Sequence, residues 1–120
     1  MEDDILKHLY DIREAAFAIS RFVSGKTFDD YELDELLRSG VERKFEIIGE
    51  ALNRIGRDEP PILDKIREYR NIVSFRNILV HGYDSIDNRI VWGIVEDDLG
   101  NLLADVQRLI AQKDRTSEGI

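Results

Sequence analysis

Apolar residues recur along this chain at intervals of three and four, and no stretch alternates apolar with polar residues as a half-buried strand would. Ile5, Leu9, Ile12, Ala16, Ile19 and the pair Phe22/Val23 make one stripe, the signature of an amphipathic helix. The stripe stops near Ser24-Gly25, where Gly25 can close a helix, and Thr27 and Asp29 are candidate N-caps for the next one. The second pattern runs from about 30 to 55 through Leu33, Leu36/Leu37, Val41, Phe45, Ile48, Leu52 and Ile55. Gly40 and Gly49 lie inside it, each costing about 1 kcal/mol against alanine, which implies close approach of another backbone. Gly56 and Pro60-Pro61 end that helix and open a short one over about 61–67, since proline suits a first turn.

Ile72, Phe75 and Leu79 then repeat at helical spacing up to Gly82. Residues 83–87 read as a turn with Asp87 as N-cap. A last helix follows, carrying Ile90/Val91, Ile94/Val95, Leu99, Leu102/Leu103, Val106 and Leu109/Ile110. The expectation is one all-α domain over residues 1–112, an antiparallel bundle of four main helices plus a short one, with a fraying polar tail at 113–120. At 120 residues the chain is long enough to bury a sizeable core.

Charge narrows the partners. The chain carries −8 overall, which argues against broad coating of nucleic acid. Between Lys65 and Tyr83, however, stand Lys65, Arg67, Arg70 and Arg76 against Glu68 alone, a net +3 that leaves −11 for the rest. Any polyanion is expected to meet the protein at this window. With no cysteine there is neither a disulfide framework nor a thiolate nucleophile or metal ligand. No apolar run approaches the roughly 18 residues of a membrane span, and the acidic start MEDDILKH is unlike a signal peptide. A cytoplasmic protein with no membrane association is expected.

Inside the basic window lies RNILVHGY, residues 76–83. Arg76 offers a permanently charged fork for a phosphate, and Asn77 an amide that can orient a phosphate or ribose hydroxyl. His81 falls at the expected helix end, where the macrodipole favours the imidazolium and Arg76 opposes it. That balance suits a general acid–base working near neutrality. Five residues on a helix turn the two positions about 140° apart, so convergence needs a loosened last turn or a second copy across a two-fold axis. Tyr83 brings a phenolic hydroxyl just beyond. Arginine with histidine, unaccompanied by a carboxylate cluster, is a kit for RNA cleavage in which the 2′-OH attacks the adjacent phosphorus.

RNILVHGY resembles the R-x4-6-H motif of the HEPN superfamily and, as R-x4-H-x-Y, the HepT-like ribonuclease toxins of type VII HepT/MntA toxin–antitoxin pairs. FEIIGEALNRI upstream and VHGYDSIDNRIVWGIVEDDL into the last helix extend the similarity over most of the chain. The resemblance implies a HEPN-type helical bundle, a homodimer with motifs facing across a cleft, and a metal-independent endoribonuclease that needs no cofactor. It implies Arg76 and His81 as catalytic and Asn77 as supporting; Arg70, from the basic window, is a further candidate for contact with RNA phosphate. It further implies an MntA-type minimal nucleotidyltransferase antitoxin that transfers AMP to the motif tyrosine, here Tyr83. A noncatalytic HEPN scaffold binding a nucleotide or partner is the alternative, favoured by the acidic total.

Blander roles compete for the other residues. Lys65, Arg67 and Arg70 are either RNA guides or ordinary surface charge. His8 reads as a solvated surface residue and Trp92 as core or dimer interface. Glu42, Glu46 and Glu50, four apart, read as a charged helix face and not as metal ligands.

Overall fold

A computed structural model describes residues 2–81 and 87–118, and within them the side chains of all but 2, 3, 78, 80, 81 and 115–118. Their regular structure is all helical, in the order α1 (Glu2–Val23), α2 (Phe28–Leu33), α3 (Glu35–Asp58), α4 (Pro60–Leu63), α5 (Tyr69–His81), α6 (Asn88–Asp97) and α7 (Leu99–Glu118). The all-α bundle expected from the periodicity is present. No described helix is long and apolar enough to cross a membrane.

The long helices are where the spacing placed them. Ile5, Leu9, Ile12 and Ile19 of α1 are buried against Val41, Phe45, Ile48, Leu52 and Ile55 of α3. Leu102, Val106 and Leu109 of α7 join the same core, with α7 packed on α1. Helix α5 packs on α3 through Ile72, Phe75 and Leu79, with the Phe45 and Phe75 rings edge to face at 5.4 Å. The body measures 51 × 30 × 19 Å, and its least dimension matches two helix layers at a spacing of about 8–10 Å.

Two of the expected helices are divided. Asp34 interrupts the second pattern: it leaves the helical backbone, closes α2 and accepts a hydrogen bond from the Leu37 amide at 3.0 Å as N-cap of α3. Arg38 donates to the Tyr31 and Glu32 carbonyls and so satisfies the exposed end of α2. The break shifts the helical phase, so Leu33 and Leu36 are not core residues but stand 86% and 83% exposed. The last pattern is divided at Asp98, although the hydrogen-bond ladder bridges the division from Ile94 to Leu102. Helix α7 continues to Glu118, into the segment read as a polar tail.

The caps follow local chemistry. Thr27, not Asp29, caps α2: its hydroxyl accepts from the Asp30 amide at 3.1 Å while Asp30 accepts from the Thr27 amide at 3.0 Å. Gly25 takes φ +74° after α1, and Asp87 caps α6 through the Arg89 amide at 2.8 Å. Trp92 is half-buried, its ring 5.3 Å from that of Tyr31. Tyr31 is fully buried and its hydroxyl has no hydrogen-bond partner among the described residues.

Before α5, Glu68 takes a left-handed conformation at φ 64°, and the turn is anchored from α7 by Asp105. This carboxylate is wholly buried. It accepts from the Arg67 amide at 2.9 Å, from Arg67 Nε and Nη2 at 3.1 Å each, and from Arg108. The start of the motif helix is therefore held to α7 by a charged clamp.

Candidate active site

Arg76 projects from α5 toward α3, and Gly49 makes that possible. A Cβ at position 49 would overlap the Cβ and Cγ of Arg76, well under the 3.0 Å that real Cβ atoms keep. The close approach expected at Gly49 is thus to a side-chain stem; at Gly40 an added Cβ would instead meet the Phe22 ring at 3.3 Å. With its stem against the glycine, Arg76 is only 23% exposed. Its Nη2 donates to Glu50 Oε2 at 2.9 Å, and its Nη1 to Asn77 Oδ1 at 3.3 Å.

Glu50 also accepts from Arg54 Nε at 3.1 Å, so one carboxylate bridges two guanidinium groups. Partly exposed ion pairs contribute about 1 kcal/mol or less, so Glu50 aims Arg76 without holding it irreversibly. A phosphate presented at the same place can take over the guanidinium fork.

Arg76 stands at the edge of a cavity of about 330 Å³. Its walls come from α1 through His8 and Asp11, from α3 through Arg43, Glu46 and Arg54, and from α5 through Arg76 itself. Volumes from about 300 Å³ upward hold small organic ligands.

The structure sorts the remaining motif residues. Asn77 is exposed beside Arg76. Arg70 is exposed one and two-thirds turns earlier, lies over the Tyr69 ring at 5.0 Å, and borders a different hollow with Asp64 and Asn71. It does not share the Arg76 cavity. Helix α5 remains helical through His81, so positions 76 and 81 stay about 140° apart around its axis. The His81 side chain and Tyr83 lie outside the described residues.

Two arginines of the basic window are already engaged by carboxylates from other helices, Arg67 by Asp105 and Arg76 by Glu50. The hydrogen bonds it donates to Asp105 raise the Arg67 guanidinium further above its usual range, so it is a structural cation more than an RNA guide. The glutamate series likewise has partners: Glu46 pairs with Arg43 and Glu50 with Arg54 and Arg76. Burial raises the carboxyl of Glu42 above the usual range.

His8 is the residue that sequence reasoning misplaced. It is buried, not solvated, and lines the cavity of Arg76. Its spacing carried the signal: positions 5, 8 and 12 are three and four apart, so His8 shares the buried face of Ile5 and Ile12.

The family described as Ribonuclease HepT-like matches residues 12–109, a span that contains Gly49, Glu50, Arg76 and His81. The chain belongs to the HepT-like ribonuclease family. It is 32% identical over 104 residues to a candidate RNase of Methanocaldococcus jannaschii, covering 87% of this chain and 94% of the relative. It is also 32% identical over 102 residues to a candidate ribonuclease HepT of Thermococcus cleftensis, covering 85% and 92%. A candidate RNase of Caldanaerobacter subterraneus is 29% identical over 108 residues, covering 90% and 93%. No solved structure matches the chain. Within the HepT-like frame, His8 and Asp11 precede the matched residues, while Arg43, Glu46 and Arg54 fall inside them.

Proposed function

We propose that this HepT-like chain is the toxin of a toxin–antitoxin pair, a metal-independent endoribonuclease acting through Arg76 and His81. The observation that carries the reading is Arg76 itself: a half-sequestered guanidinium, seated on Gly49 and aimed by Glu50 at a cavity edge, on the helix that ends in His81. In the reaction the ribose 2′-oxygen attacks the adjacent phosphorus and the bond from phosphorus to the 5′-oxygen breaks. The products are a 2′,3′-cyclic phosphate and a 5′-hydroxyl. Arg76 neutralises charge on the non-bridging oxygens as it builds, Asn77 orients the phosphate, and His81 moves the proton between attacking and leaving oxygens. Arg70, exposed on the same helix, meets the RNA backbone away from the cut.

The homodimer and the MntA-type antitoxin belong to the same proposal. A nucleotidyltransferase would direct the Tyr83 hydroxyl at the α-phosphorus of ATP, forming AMP-tyrosine and releasing pyrophosphate. The added phosphate charge and adenosine beside Arg76 would exclude RNA by repulsion and bulk. The acidic total of −8 supports the alternative of a noncatalytic scaffold that binds a nucleotide.

Inducing the wild-type chain beside His81→Ala, with total RNA run on a denaturing gel, tests the reading. Growth arrest and cyclic-phosphate fragments from wild type alone are expected, undiminished by a chelator. Equal cleavage by both chains removes His81 from the mechanism; absence of cleavage by either moves the scaffold ahead.

A further inference from the structure

The cavity beside Arg76 has a wall for which the motif has no use. His8 is 9% exposed, and no described residue hydrogen-bonds its ring. The residue lines the cavity together with Asp11 of the same helix. A neutral imidazole carries one donor and one acceptor, and buried polar groups of this kind normally have partners. A buried imidazole on a cavity wall, with no partner among the described residues, is suited to meet a ligand there.

The rest of the lining says which ligand. Ile47 and Ala51, four apart on α3, supply an apolar floor that suits the face of a planar ring. Asp11 and Glu46 supply carboxylates, which only accept hydrogen bonds. Among the nucleobases, guanine presents two adjacent donors on its pairing edge, matching the two oxygens of a carboxylate. Adenine, cytosine and uracil each set an acceptor beside their donor. Arg43 and Arg54 are both more than half exposed, and their carboxylate partners are accessible to solvent. Such pairs are weak, so a phosphate can displace them. The volume, about 330 Å³, suits one nucleotide and not a stacked strand.

We propose that this cavity is a guanine-nucleotide subsite: His8, Asp11 and Glu46 read the base, and Arg43 and Arg54 hold its phosphate. It rests on the ribonuclease reading only for the source of the nucleotide, an RNA residue next to the scissile phosphate at Arg76. A free guanine nucleotide offers the same chemistry.

The chain has two histidines, so isotope-labelled histidine gives two ring signals, assigned with His8→Gln and His81→Gln. Titration with guanosine monophosphate should move the His8 signal saturably, at about tenfold lower concentration than uridine monophosphate. Arg43→Ala, at a side chain 68% exposed, should weaken guanosine monophosphate about tenfold with unchanged thermal unfolding. A hexamer with one 2′-deoxyguanosine among uridines should move His8 also, identifying RNA as the source; movement with the mononucleotide alone identifies free nucleotide. Equal affinity for the two mononucleotides, or movement of the His81 signal only, overturns the subsite and leaves the ribonuclease reading intact. A moving His8 signal in a protein that cuts no RNA keeps the subsite and removes the ribonuclease.

Discussion

Gly49 and Arg76 are in mutual contact: the arginine stem lies where the side chain of any larger residue at 49 would be. One position on α3 therefore sets both how near α5 comes and where its guanidinium emerges. Gly49→Ala would gain about 1 kcal/mol in helix propensity. The overlap with Arg76 should cost about 1–3 kcal/mol and outweigh that gain. Thermal unfolding of Gly49→Ala should occur below wild type, and RNA cleavage should fall with it. A variant that melts higher and cuts normally would show that the contact is unimportant.

Glu50 aims Arg76, so its removal should separate binding from turnover. Glu50→Gln leaves Arg54 and Arg76 without their shared carboxylate and should tighten RNA binding several-fold. It should lower kcat about tenfold, because the guanidinium is no longer held at one angle. Stability should change by about 1 kcal/mol or less, since the pairs are partly exposed. Steady-state kinetics read the split between KM and kcat; a rise in kcat would contradict the positioning role.

Asp105 ties the start of α5 to α7 and should govern acid stability. Burial pushes its carboxyl up, but hydrogen bonds from Arg67 and Arg108 outweigh this and hold it below the usual carboxylate range. A carboxyl depressed in the folded state stabilises fully above its unfolded pKa, and that contribution is lost as pH falls through the folded pKa. Wild type should accordingly lose stability below pH about 4. Asp105→Asn should be less stable at neutral pH by about 2 kcal/mol, with the gap closing in acid. Urea unfolding at several pH values checks this; a gap independent of pH would assign the loss to packing alone.

Tyr31 carries a buried hydroxyl without a partner among the described residues. Burial and the Glu42 carboxylate raise the phenol above its usual range, marking surroundings that disfavour charge. Tyr31→Phe removes an unsatisfied polar group without opening a cavity, so stability should rise by about 1 kcal/mol. The ring contact with Trp92 should persist, and Trp92 fluorescence in the folded state should stay close to wild type. A lower melting temperature would reveal a hydrogen bond to that hydroxyl.

Most of the helical pattern was legible because it is local. Ile5 to Ile19 and Val41 to Ile55 repeat with the period of one helix, and both stripes are buried. Thr27, Gly25 and Asp87 were readable as caps and stops for the same reason, since each acts on amides a few residues away. Asp34 was missed, because the apolar run on either side concealed the break and made exposed Leu33 and Leu36 look like core. In the site, Arg76 and Asn77 could be named from the motif, whereas Glu50 and His8 could not be joined to them.

What the sequence determined by itself was therefore the all-α class, the long apolar stripes of α1 and α3, and the motif helix that ends in His81. The order of polar and apolar residues along one helix suffices for those. Tertiary structure decided the pairings: Arg76 on Gly49 and against Glu50, Arg67 on Asp105, and His8 in one cavity with Arg43. Each joins residues from different elements, 26 positions apart for Arg76 and Glu50 and 38 for Arg67, in the turn before α5, and Asp105. Such contacts depend on how the helices rotate and how closely they approach, and that is set by the packing of the whole core.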